Sequence, residues 1–244
     1  MQARLCVLCV LGVIGTACGN STLFRQYEYV EEIYLSLDGT ATVHVSGSLA
    51  ALNALRGASF DASPDARFDA SAVRAFFSGP GTHVTRVSQS RRSNRRFAHV
   101  RVEVDDIRRL AEAAPFAWST YQFARDGDLY IYRQKVGAPA GKVPERTGWN
   151  GRELVAFRLH LPSKIRYHNT RGVESRGNIL SWEQPLAERL RGTPVEIEAR
   201  MDPQSILYTT LLLFGATFIA VAGASVALLW WIVTRPAKPV GQAR

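Results

Sequence analysis

The stretch Glu32–Val43, with the sequence EIYLSLDGTATV, decides the fold, because apolar and polar residues alternate on both sides of an Asp-Gly pair. Alternation of period two is typical of β-strands with one buried face, and Asp-Gly between two such runs marks a hairpin turn. A two-residue loop at Asp38-Gly39 would set apolar residues opposite polar ones on the same face. A three-residue loop, Leu37–Gly39, pairs Leu35 with Ala41 and places the glycine at the left-handed position of a type I turn with a bulge.

A second hairpin is predicted by the same pattern at Arg125–Gly127. A loop of three residues there sets Phe123 opposite Leu129 and Tyr121 opposite Ile131. The remaining predicted strands cover residues 82–88, 97–104, 154–161, 164–167, 179–182 and 194–200. Hairpins separated by short helices predict an α+β domain built on antiparallel, hairpin-rich sheet.

Three short helices and one long loop complete the predicted domain. The helices cover residues 48–56, 69–78 and 105–114, and Asp105 is the expected N-cap of the third. Residues 137–151 are rich in glycine and proline and predict a surface loop or a mobile flap.

The N-terminus has the three parts of a secretory leader: basic Met1–Arg4, apolar Leu5–Ile14 and small Gly15–Ala17. Ala17-Cys18 resembles the lipobox of bacterial lipoproteins, which implies that Cys18 becomes the diacylated N-terminus of the mature chain. Gly15 departs from that pattern, which usually has a large apolar residue at this position. The alternative is an ordinary leader that is cut nearby, with no role for Cys18.

The C-terminal region predicts one transmembrane helix at residues 206–233, because 28 residues without a charge exceed the roughly 20 that span a bilayer. Arg235 and Lys238 follow directly and place the tail in the cytoplasm, while the leader places the domain outside. The chain then divides into a signal peptide at 1–17, a lipidated linker at 18–27, an extracytoplasmic domain at 28–202, the helix, and a cytoplasmic tail at 234–244. A small-residue stripe on the helix, Ala216, Ala220 and Ala224, is a candidate contact for a membrane-protein partner, although such residues are common in membrane helices.

The charge and the cysteines narrow the class of partner. The formal charge is +9, and without Arg4 and the three basic residues after the apolar segment the chain has 26 basic and 21 acidic residues. An exported domain of this mild charge predicts anionic membrane lipids or acidic envelope polymers as partners, and no nucleic acid. All three cysteines lie in the first 18 residues, so the domain has no disulfide and no thiolate chemistry.

Sequence motifs of catalysis are missing from the chain. The five histidines form no His-Glu-x-x-His pair, and neither a nucleophile elbow nor a phosphate-binding glycine loop occurs. His44, His99 and His160 fall on the polar phase of predicted strands and are expected to face solvent. The sequence therefore predicts no enzyme, no metal site and no cofactor.

The clearest candidate binding feature is the run Arg91, Arg92, Arg95 and Arg96 at a predicted hairpin tip. Guanidinium groups match the geometry of phosphate, so this tip is a candidate site for phospholipid or glycolipid headgroups. A solvated, charged turn that keeps the sheet edge from pairing with other chains is the alternative.

The hairpin at Glu32–Val43, the segment Gly177–Trp182 and the membrane helix that follows the domain together resemble the LppM-type bacterial envelope lipoproteins. The resemblance implies a lipobox leader, an α+β ectodomain similar to lipid-binding folds, and a role in handling or sensing envelope lipids. It supplies no catalytic residues.

Two functions remain open at this point. The first is a non-enzymatic, membrane-anchored envelope lipoprotein of the bacterial plasma membrane that binds or senses lipid or glycolipid. The alternative is a scaffold or assembly partner that docks another membrane protein through its helix and sheet edge. A large internal apolar cavity would favour the first, and a filled core would favour the second.

Overall fold

The computed structural model describes residues 25–139, 147–171 and 178–234. The predicted signal peptide 1–17, Cys18 and the tail from residue 235 onward lie outside the described residues, as do parts of the 137–151 loop. The elements in chain order are β1 (Tyr27–Leu35), β2 (Ala41–Ser48), α1 (Leu49–Arg56), α2 (Ala70–Phe77), β3 (Thr82–Arg92), β4 (Arg95–Val104), β5 (Ser119–Asp126), β6 (Leu129–Val136), β7 (Leu154–His160), β8 (Ser163–His168), β9 (Ile179–Pro185), α3 (Leu186–Leu190), β10 (Val195–Ser205) and α4 (Ile206–Thr234).

The strands form two sheets. One has six strands in the order β3-β4-β2-β1-β7-β9, and the other has four in the order β5-β6-β10-β8. Neighbouring strands are antiparallel except β1 and β7, which are parallel. The α+β prediction is confirmed. The division into two sheets and the parallel pair were not predicted, because pairing between distant segments leaves no local pattern.

The first hairpin has the predicted register. Leu35 pairs with Ala41, and the Ser36 amide donates to the Thr40 carbonyl at 2.9 Å, which closes a three-residue loop. Gly39 has a φ of +91°, a backbone conformation that a residue with a side chain rarely adopts.

The predicted register of the second hairpin is wrong. Its turn has two residues, Gly127 and Asp128, and Phe123 pairs with Tyr132 instead of Leu129. The glycine takes a φ of +59° at the first turn position, where a tight two-residue loop requires it. The shift turns Tyr132 into the core, where it is fully buried.

The three predicted helices are present, and the first two have side-chain N-caps. Ser48 accepts from the Ala51 amide at 3.1 Å, and Asp69 accepts from the amides of the first turn of α2. The third is a 3-10 helix at Ile107–Glu112, and its cap is Asp106 instead of Asp105. The Asp106 carboxylate accepts from the Arg108 amide at 2.9 Å.

The inner faces of both sheets and the short helices share one apolar core. Large side chains that are fully buried in it include Leu52, Phe77, Tyr132 and Met201. Every residue of this core precedes α4 in the chain, and the described side chains of α4 are exposed. The domain therefore closes its core without the C-terminal helix.

Candidate functional site

The arginine run predicted as a hairpin tip lies at the turn between β3 and β4. Ser93 and Asn94 form this turn with φ of 49° and 59°, values typical of a tight hairpin turn. Arg91 pairs with Arg96, and Arg92 pairs with Arg95. The predicted tip is therefore present, but its four arginines lie in different environments.

Arg95 is buried and belongs to the fold. Its guanidinium lies 2.8 Å from a carboxylate oxygen of fully buried Glu28 and donates to the Gly148 carbonyl at 2.5 Å. The Trp149 indole N–H donates to the other oxygen of the same carboxylate at 3.1 Å. The charge of Arg95 is thus paired with Glu28 inside the fold, and this arginine is not part of the exposed basic tip.

Arg91, Arg92 and Arg96 retain access to solvent. Arg91 donates to the Asn94 amide oxygen at 2.6 Å, and Arg96 donates to the Gln89 amide oxygen at 3.3 Å. Arg92 donates to the Tyr27 carbonyl, and its guanidinium lies 4.5 Å from the centre of the Phe97 ring. These contacts orient the three guanidiniums without neutralising their charges.

Two further arginines extend the basic surface along the hairpin. Arg86 and Arg101 are both exposed and pair directly across β3 and β4. Alternation along the strands places Arg86, Arg92 and Arg101 on the outer face of the sheet and Arg91 and Arg96 on the other face of the hairpin. We call these five residues, Arg86, Arg91, Arg92, Arg96 and Arg101, the arginine surface. Among the residues that the structure describes, none of the five forms an ion pair with a carboxylate. Like charges that face each other across strands are unfavourable unless a counter-charge is supplied.

Several other exposed arginines of the domain have carboxylate partners. Their ion pairs are Arg108–Asp106 at 2.7 Å, Arg109–Glu112 at 2.8 Å, Arg133–Glu198 at 3.2 Å and Arg166–Asp202 at 2.6 Å. These guanidiniums hold down the pKa of Asp106, Glu112, Glu198 and Asp202 through hydrogen bonds and charge. Exposed Arg74 and Arg125 also have no ion pair among the described residues, but the arginine surface gathers five such guanidiniums on one hairpin.

His99 lies beside the arginine surface on the outer face of the six-stranded sheet. Its ring nitrogens are 2.9 Å from the Ser46 hydroxyl and 2.8 Å from the Ser90 hydroxyl. Burial and the positive charge of Arg92 lower the pKa of His99. The prediction that His99 faces open solvent is wrong, because the imidazole is half-buried and bonded on both sides.

Strand register places the β3–β4 turn, with Arg91, Arg92 and Arg96, at the end of the sheet that is remote from α4, whereas Arg86 and Arg101 lie nearer to α4. The Ile206 amide, at the start of α4, donates to the Pro162 carbonyl at 3.1 Å, two residues after β7 ends. The last residue of β7, His160, is aligned through β1 and β2 with Glu103, near the end of β4. The β3–β4 turn lies at the opposite end of β4. The N-terminal side of the domain lies at that end too, because the Gln26 side-chain amide donates to the Ser93 hydroxyl at 3.4 Å.

The helix α4 is long and apolar enough to cross a membrane, with 29 residues from Ile206 to Thr234. This agrees with the predicted span of 206–233 and with association of the chain with a membrane.

The two best-defined pockets do not enclose an acyl chain. The larger is an open groove of about 1070 Å³ along the edge of β9, and charged residues line it, including Arg158, Glu183 and Glu196. The smaller, of about 10 Å³, holds at most one water between Arg56 and Arg189. In residues 25–139, 147–171 and 178–234, no three His, Cys, Asp or Glu side chains group as a metal site.

Comparison with known protein families finds no match, and comparison with curated proteins finds none. Among solved structures, the chain is similar to the folded domain of the LppM protein of Mycobacterium tuberculosis, determined by NMR. The two share 13% sequence identity and a TM-score of 0.40, over 75% of this chain and 95% of the other. The likeness is one of fold. At this TM-score it carries no argument about family or function.

The sequence identified the arginine tip, but not which arginines belong to the exposed basic surface. Arg86 and Arg101 flank the run in the sequence, and only the register shows that they face each other. Burial of Arg95 depends on Glu28, which is distant in sequence, so no local pattern reveals it.

Proposed function

We propose that this chain is a non-enzymatic, membrane-anchored envelope lipoprotein whose folded domain binds anionic lipid headgroups through the arginine surface. The observation that supports the proposal is the set of five guanidiniums without a carboxylate partner among the described residues, in a domain whose other exposed arginines include several ion pairs. Phosphate groups of lipid headgroups supply the missing counter-charge and accept the guanidinium donors.

The binding mode is a surface contact, since the two best-defined pockets are a charged groove and a void for one water. Each arginine near an anionic membrane surface contributes on the order of 1 kcal/mol at low salt. Screening by salt weakens this attraction, so binding is expected to fall as ionic strength rises.

Vesicle co-sedimentation of the soluble domain, residues 25–205, tests the proposal, because the domain closes its core without α4. The variant combines Arg86→Gln, Arg91→Gln, Arg96→Gln and Arg101→Gln. It spares Arg92 and Arg95, which bond to the fold. At about 1 kcal/mol per arginine, the four changes lower the binding constant for anionic vesicles by roughly two to three orders of magnitude at low salt.

The matched control removes the same charge from arginines that are already paired: Arg108→Gln, Arg109→Gln, Arg133→Gln and Arg166→Gln. The control is expected to keep most of the binding and its salt dependence. Equal losses in both variants would mean that net charge alone drives binding. No loss in the first variant would leave the arginine surface as a solvated hairpin.

The second candidate function is a scaffold that docks another membrane protein. A filled core and a fully exposed apolar helix favour it, because a helix of this kind offers a contact within the bilayer. Ala216, Ala220 and Ala224 follow one another at four-residue spacing and would allow close helix packing.

A further inference from the structure

The two ends of the folded domain face opposite directions along the strands. Gln26 and Tyr27 lie beside the β3–β4 turn, whereas Ser205 and Ile206 lie beside Pro162 at the other end of the sheet. The chain therefore leaves the domain toward Cys18 at one end and toward the membrane helix at the other.

We infer that the folded domain lies on its side on the membrane, with its strands roughly parallel to the bilayer, so that the β3–β4 turn and the start of α4 are both at the headgroups. This inference rests on the proposed function, in which acylated Cys18 and α4 anchor the chain in one membrane. Beyond that function, the inference specifies which side of the domain contacts the lipid.

The length of the sheet argues against an upright domain. Arg95 and Glu103 lie at the two ends of β4 and are eight residues apart, which corresponds to about 26 Å at about 3.3 Å per residue. An upright domain would hold Arg91, Arg92 and Arg96 at about that height, beyond twice the Debye length of about 10 Å in 0.1 M salt. At this height these three arginines could not sense headgroups, and only Arg86 and Arg101, nearer to Glu103, would remain close to the membrane.

The reach of the N-terminal linker points the same way. Eight residue steps separate Cys18 from Gln26, and a fully extended chain of that length spans at most about 29 Å. An upright domain would require the linker to be stretched almost to this limit, at a cost in conformational entropy. A domain on its side brings Gln26 near the bilayer and leaves the linker slack.

The test measures the depth of two labels in the full chain, processed and inserted in vesicles of neutral phosphatidylcholine that carry a headgroup quencher. A fluorophore is placed at Ser93→Cys, in the β3–β4 turn, or at Asp128→Cys, in the β5–β6 turn. Asp128 is at the end near α4, because Tyr130 pairs with Met201 of β10. The remaining cysteines do not interfere, since Cys6 and Cys9 leave with the leader and the acyl group blocks Cys18.

Loss of fluorescence of similar size at both positions is the expected result. Quenching at Asp128→Cys alone would show an upright domain and overturn the inference. In a control chain, Cys18→Ala behind an ordinary cleavable leader, quenching at Ser93→Cys is expected to fall to background while that at Asp128→Cys persists. Persistent quenching at both would overturn the role given to the acyl chain. The lipid is neutral, so failure of anionic headgroup binding would leave these results unchanged.

Discussion

Glu31 places a carboxylate in the apolar core between the two sheets. It accepts hydrogen bonds from the Tyr29 hydroxyl at 2.7 Å, the Arg56 guanidinium at 2.6 Å and the Gln134 amide at 2.9 Å. Burial raises the pKa of Tyr29. Burial alone would lower the pKa of Arg56, but the charges of Tyr29 and Glu31 outweigh this effect and raise it. One side chain thus connects β1 to α1 and to the second sheet.

Glu31→Gln is expected to lower the free energy of unfolding by about 3 kcal/mol, because it leaves the Arg56 charge buried without a counter-charge. Urea unfolding of the soluble domain measures the effect. The control is Glu112→Gln, which breaks the exposed pair with Arg109 and is expected to cost less than about 1 kcal/mol. A cost at Glu31 no larger than at Glu112 would contradict the assigned role.

The alternation in β1 contained a signal for this buried charge. Glu31 has the same parity as Ile33 and Leu35, so the pattern that predicted the strand also placed a carboxylate on its buried face. Its partner Arg56 lies 25 residues later on a helix. The pairing could not be predicted, because it depends on how α1 packs against the sheet.

The outer face of the six-stranded sheet holds a cluster of rings around Tyr34. The Tyr34 ring is stacked on His160 with centroids 3.9 Å apart, and the His44 ring is 4.9 Å away. Burial lowers the pKa of His44 and His160, and the charges of Arg101 and Arg158 respectively lower it further. Both imidazoles are half-buried, so the expectation of fully solvent-facing histidines is wrong for this pair as well.

Stability is expected to fall as the pH drops below about 6.5, the ordinary pKa of histidine. The folded pKa values of His44, His99 and His160 are lowered, so the unfolded chain binds more protons in this range and gains stability relative to the fold. Thermal unfolding between pH 7 and about pH 5, above the range of ordinary carboxylates, measures the slope. Replacing the three histidines with Gln is expected to flatten it, and an equal slope in both proteins would contradict the assignment.

The two hairpins show what alternation can and cannot decide. In β2 only one phase is apolar, so parity selected the three-residue loop correctly. In β6 Leu129 and Ile131 alternate with Tyr130 and Tyr132, and both phases are apolar. Parity therefore could not choose between a two-residue and a three-residue loop. The observed register is set by the two-residue turn and by β10, which pairs with the other edge of β6.

The arrangement of the whole molecule follows from contacts that sequence patterns do not contain. The strands and the C-terminal helix could be predicted, because each depends on local periodicity or on a long apolar run. The position of the arginine surface relative to α4 depends on the β1–β7 parallel pair and on the β7–β8 connection between sheets. Those pairings place the N-terminal and C-terminal attachments at opposite ends of the domain.

The two proposed anchors, acylated Cys18 and α4, predict a specific pattern of release from the membrane. Deletion of residues 206–244 removes the helix but none of the core, so the shortened domain is expected to fold and to remain membrane-bound through two acyl chains on Cys18. Cys18→Ala behind an ordinary cleavable leader is expected to remain bound through α4. Only the chain with both changes is expected to appear in the soluble fraction, as fractionation and immunoblotting would show. Release after the deletion alone would mean that Cys18 is not acylated, and release after Cys18→Ala alone would mean that α4 is not an anchor.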